Sequence, residues 1–278
     1  LFPYTTLFRS VWLFAQLSAE NVGVLPRSAF IVLKPAQVAQ MSPAAVAAIR
    51  SAQMTLMPPA ALSQMKPNQV AMISPAALRV MSASQFSAIP ANSLRSLQSV
   101  QLAALRALTL QAMSSAQFAS INPPAFVGIS GAQMQSLTPS VVERMSAQQF
   151  AALGVGAVRA ITASQAQAIQ PTTWAGMQPS QMRWLPSQTI AVIDAQDVNR
   201  IAPFTLASMT SRQVRVLAPP AFAGLTAEQL QVLPPAFLKA VLPAQLASIE
   251  PGVLGALAPQ QAQALSANSW TEISPRQF

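Results

Sequence analysis

An all-α solenoid of very short helices is the fold this sequence predicts, and three observations carry it. From Ser10 to Ile273 the chain divides into 33 consecutive octads without an insertion. The eighth residue of every octad is Leu, Ile, Met or Val, and the fifth is apolar throughout, weakening only to Ala166 and Ala262. Of 24 prolines, 23 lie beyond the first nine residues; all 23 occupy octad positions one to three, and sixteen of them position two.

The positions of the octad explain themselves in order. Position one is often Ser, Thr, Asp or Asn, as at Ser42, Ser74, Thr138, Asp194 and Thr226. These residues favour the N-cap, where a side-chain oxygen accepts a backbone N–H that the first turn leaves unpaired. Position two is the first helical residue. Proline is tolerated there because its missing N–H has no intrahelical partner anyway, and it holds the preceding residue in the extended geometry a cap requires. Proline therefore ends one helix and begins the next.

Position four carries a second, longer period. Gln recurs every sixteen residues from Gln37 to Gln181, Asp197 interrupts, and Gln213, Gln229, Gln245, Gln261 and Gln277 resume. Intervening octads carry small residues there, such as Ala45, Ala61, Ala77 and Ala125. A Gln three residues after the cap completes a capping box. The repeating unit is thus a pair of non-identical octads.

Positions five and eight share one face of a short helix. In one continuous helix eight residues turn about 800°, so the apolar stripe would drift about 80° per octad. In a strand the two positions would point to opposite faces. Position seven is Ala, Ser or Gly in most octads, which allows close packing, and position six points outward. Helices this short are unstable alone, since even about 12–15 residues is marginal in water. Each must be buried against its neighbours, as in a solenoid.

The blocks SPAAVAAI, SPAALRVM, NPPAFVGI and TAEQLQVL share a pattern of cap, proline and two apolar residues three apart. That pattern resembles the repeats of the mesothelin, stereocilin and otoancorin family across residues 10–278. The resemblance implies a compact superhelix of very short helices and a role in extracellular adhesion. The chain has no cysteine and no N-glycosylation sequon, so a bacterial surface or secreted protein is expected. Residues 1–9, LFPYTTLFR, resemble a translated sequencing-adaptor fragment at the edge of a metagenomic gene model. The repeat continues to Phe278 without a polar cap, so the array is expected to be part of a longer protein and to associate end to end or fray there.

Composition narrows the function. The chain is 52% hydrophobic and only 8% charged, with a net charge of +9. Neither histidine nor cysteine occurs, which removes the commonest general base, the commonest metal ligand and any thiolate. Asp194 and Asp197 occupy positions one and four of their octad and read as a capping pair rather than as catalytic carboxylates. No catalytic, cofactor or metal residue can be named, and no apolar window is long enough to span a membrane. A non-enzymatic scaffold is expected, for binding or adhesion to a protein or polysaccharide partner or for structural spacing.

Basic residues supply the candidate contact surface. Arg79, Arg95, Arg159 and Lys239 take position six of the octads without Gln, and Arg183 and Arg215 take position six of those with it. Equal positions in a solenoid line up, so these six form a broken stripe suited to a polyanion or another acidic partner. Nucleic acid is the alternative partner, disfavoured because interleaved aromatics are missing. Trp12 and Trp184 fall off the core positions and are expected to be exposed anchors.

Overall fold

The computed structural model describes residues 11–275. The adaptor-like residues 1–9, together with Gln277 and Phe278, lie outside the described residues. The chain forms two compact units, one ending at Ile129 and the other beginning at Ser130, and both are built in the same way.

Every octad carries one helical segment of four to six residues, from Val11–Ala15 to Ala267–Trp270. No strand occurs among the described residues. The fold is therefore an all-α solenoid of very short helices. Proline starts many segments, among them Pro35–Gln40, Pro75–Val80 and Pro243–Ala247. Six segments are 3-10 rather than α: Arg27–Val32, Pro59–Leu62, Ala91–Ser96, Pro123–Gly128, Pro219–Gly224 and Ala267–Trp270. All six lie in octads that lack Gln at position four.

Within each unit a helix packs on the helix three octads away. In the first, Pro35–Gln40 lies against Pro59–Leu62 and Ser99–Ala104 against Pro123–Gly128; in the second, Ala195–Arg200 lies against Pro219–Gly224. One turn of the coil thus takes 24 residues, whereas the sequence alternates every sixteen. Because three is odd, each Gln octad rests on an octad of the other kind.

Positions five and eight form the core, as the pattern predicts. Val38, Val70, Leu102 and Phe126 are buried in the first unit, and Phe150, Trp174, Val198 and Leu230 in the second. Aromatic rings meet edge to face, Phe118 on Phe126 at 5.4 Å and Phe150 on Trp174 at 5.7 Å. Trp270, also at position five, is only half-buried.

Position four is buried as well, and it holds the stack together. Gln229 Oε1 accepts the Thr226 N–H at 2.9 Å, while its Nε2 donates to the carbonyls of Val198 and Ile201, each at 2.7 Å. In the first unit Gln85 does the same with Ser82, Met54 and Met57. The carbonyls lie 31 and 28 residues back, at the C-terminal end of the helix four octads earlier. The inner carbonyl of each pair also accepts a local N–H, Ile201 to Val198 and Met57 to Met54, each at 3.2 Å, whereas the outer one lies past the last helical turn, so one amide ties a helix start to a helix end. In those alternate octads that carry Ser or Thr there, a hydroxyl can reach one of the two carbonyls: Ser93 donates to Met65 at 2.7 Å and Thr189 to Ile161 at 2.7 Å.

Ser42, Ser74, Thr226 and Asp194 cap their helices through side-chain oxygens. Thr138 has the extended cap backbone but no side-chain cap bond, because its hydroxyl pairs with Ser140 at 3.0 Å. Lys34, Arg50 and Lys66 are caps whose side chains can only donate. There Gln37, Gln53 and Gln69 alone secure the N-cap N–H, each at 2.8 Å.

Position seven meets the backbone at position two of the octad beneath. A Cβ built on Gly128 would overlap the Ser99 backbone, one on Gly176 that of Ala147, and one on Gly224 that of Ala195. Glycine is required here by close approach rather than by dihedral angle, since no residue has positive φ among those described.

Candidate functional site

The polar interior is used in caps and staples. Asp194 and Asp197 form a reciprocal capping box: Asp194 accepts the Asp197 N–H at 3.0 Å and Asp197 accepts the Asp194 N–H at 3.3 Å. Among the described residues no group of three acidic, His or Cys side chains could hold a metal ion. No described helix is long and apolar enough to cross a membrane.

The six basic residues of the expected stripe are all exposed, but they do not form one row. Rows run at 24-residue spacing, so Arg79 and Arg95, sixteen apart, sit on helices that do not pack on each other. Two pairs do share a row in the second unit. Helix Val155–Val158 lies against Pro179–Met182, which sets Arg159 and Arg183 on adjacent turns; Ser211–Val216 lies against Pro235–Leu238, which does so for Arg215 and Lys239.

The first of these pairs belongs to a built feature. The Arg159 guanidinium carbon stands 4.8 Å from the centre of the Trp184 ring, a cation–π contact worth about 0.5–1 kcal/mol at an exposed site. Trp184 remains 47% exposed, so much of its ring still faces solvent. With Pro179, Ser180, Arg183, Ser208 and Thr210 it lines an open groove. Arg183 and Thr210 also border an adjoining groove with Ser187, Gln188 and Arg212. No acidic residue lines either groove.

The elements fix this arrangement locally. Pro179 begins its helix, and the buried Gln181 and Met182 seat it, so the next two residues, Arg183 and Trp184, emerge at its C-terminal end. Arg212 follows the Thr210 cap of the helix Ser211–Val216. Sequence reading placed Arg159, Arg183 and Trp184 at the surface but missed Arg212, which occupies position three rather than six. The available signal was the 24-residue interval between Arg159 and Arg183. Trp12 is 67% exposed and stands in the other unit. No protein-family model matches the chain, and no curated protein does.

Proposed function

We propose that the chain is a non-enzymatic binding scaffold, a solenoid that presents short helix ends to a protein or polysaccharide partner in adhesion or structural spacing. One observation carries this reading. The buried polar side chains pair with backbone groups in caps and staples, whereas Arg159, Arg183, Trp184 and Arg212 cluster at the surface with no acidic neighbour in their grooves. Stability and contact thus use different residues. Such a surface attracts an acidic partner over one of its own charge.

A second reading, attachment to nucleic acid, draws on the same cluster and the net charge of +9. The charges are sparse, so few phosphates would be neutralised and affinity would vanish by physiological salt. The immobilised chain should retain a matrix polysaccharide or surface protein at about 150 mM salt while duplex and single-stranded nucleic acids elute. Tight nucleic-acid binding at that salt, abolished by Arg183→Ala with Arg212→Ala, would replace the scaffold reading with the second.

A further inference from the structure

We propose that the two adjoining grooves that share Arg183, one beside Trp184 and one beside Arg212, form a subsite for an anionic oligosaccharide, one bearing carboxylate or sulfate groups on its sugar rings. The inference rests on the scaffold reading and gives its surface a ligand class. Three features of the groove converge on that class.

The aromatic platform comes first. Trp184 is held by Arg159 at 4.8 Å and is 47% exposed. The electron-rich face of an indole attracts the polarised C–H groups of a sugar ring. A stacked base could use the same face, but single-stranded nucleic acids bind along successive aromatics. Neither groove has an aromatic residue other than Trp184.

Charge and hydroxyls come next. Arg183 and Arg212 border one groove, and a guanidinium binds carboxylate or sulfate oxygens through paired N–H donors. The rest of the lining includes Ser180, Ser208 and Thr210 around Trp184, and Ser187, Gln188 and Gln213 beside Arg212. These short donors and acceptors match the hydroxyl-rich edge of a saccharide. An acidic peptide would use the same arginines but not the ring, so the polyglutamate probe below separates the two.

Scale comes last. The open groove beside Trp184 measures about 570 Å³, the scale of a small ligand. That suits a few sugar rings better than a folded surface.

The test is calorimetric titration of the full chain at about 150 mM salt, where exposed long-range attraction is largely screened. The probes are a sulfated, uronate-containing hexasaccharide, a neutral hexasaccharide, a thymidine oligonucleotide of equal charge and a polyglutamate peptide. The sulfated hexasaccharide should bind, and the other three should bind at least about tenfold more weakly. Arg183→Ala with Arg212→Ala should weaken it by about a hundredfold, and Trp184→Ala by about tenfold. Arg79→Ala with Arg95→Ala should change nothing, and circular dichroism should show every variant folded. Equal losses in the two arginine pairs would overturn the site, because attraction would then be unlocalised. Equal or better binding of the oligonucleotide or the peptide would overturn the ligand class and leave the scaffold reading standing. Failure of every probe overturns the subsite, and the partner screen on the immobilised chain then decides the scaffold reading alone.

Discussion

Asp197 accepts the backbone N–H of Asp194 at 3.3 Å, but it occupies the position where neighbouring repeats carry a glutamine that also donates. The two carbonyls that a glutamine would reach, 31 and 28 residues back, are those of Ala166 and Ile169. A carboxylate has no proton to offer them. Burial pushes the Asp197 carboxyl up to about 6 from 3.8; the Asp194 N–H opposes the shift and the Asp194 charge adds to it.

The sign of the pH dependence follows. A carboxyl that holds its proton more tightly when folded stabilises the fold fully below about 3.8, and that contribution is lost as pH rises through about 6. Asp197→Gln abolishes this titration and restores two amide donors. Urea melts at pH 7 should show the variant more stable by about 1–2 kcal/mol, with a smaller difference at pH 4. An equal difference at both pH values would separate the effect from ionisation.

Glutamine at position four is expected to be the costliest polar site in each unit. Gln229→Leu keeps the volume but leaves the Thr226 N–H and the Ile201 carbonyl without their partner, and the Val198 carbonyl with the Ile201 N–H alone. Unsatisfied buried groups cost about 1–3 kcal/mol each, so denaturant melts should show a loss of several kcal/mol. Thr189→Val, which removes one donor to Ile161, should cost less.

Much of this was legible because it is local. Caps, first-turn prolines and the two apolar positions are relations within eight residues, and they appear in the structure where the sequence puts them, apart from exceptions such as the Thr138 side chain and the half-buried Trp270. The far half of each Gln staple was not legible. It spans 28–31 residues and depends on a 24-residue turn that the sixteen-residue alternation conceals. The same mismatch hid the groove, since Arg159 and Trp184 meet across one turn while the sequence invited comparison of Arg79 with Arg95.

Inside and outside can be checked at paired sites. Leu225 and Leu233 are buried at position eight, so either changed to Asp places an unpaired charge in the core and should cost several kcal/mol. Gln231→Asp, at the exposed sixth position, should stay within about 0.5 kcal/mol of the parent. Equal losses would reverse the burial assignment.

Glycines should divide into two classes. Gly176→Ala and Gly224→Ala drive a Cβ into the Ala147 and Ala195 backbones, so the turns must separate and stability should fall by about 1–3 kcal/mol. Gly156 and Gly252 have open space around the added carbon and negative φ. Alanine there should stabilise by about 0.4–1 kcal/mol by restricting the unfolded chain.

Trp174 tests how the core tolerates polarity. Its ring is fully buried against Phe150, and its indole N–H is the one buried side-chain polar atom among the described residues that lacks a partner. An unpaired buried donor costs about 1–3 kcal/mol, whereas the lost ring area of Trp174→Phe costs about as much through packing. The two effects oppose, so Trp174→Phe should leave stability nearly unchanged. Trp174→Leu, which also removes the edge-to-face contact at 5.7 Å, should lose about 0.5–1.5 kcal/mol more than the Phe variant. A large loss in Trp174→Phe itself, read from urea melts, would show that the indole N–H is satisfied in solution by water.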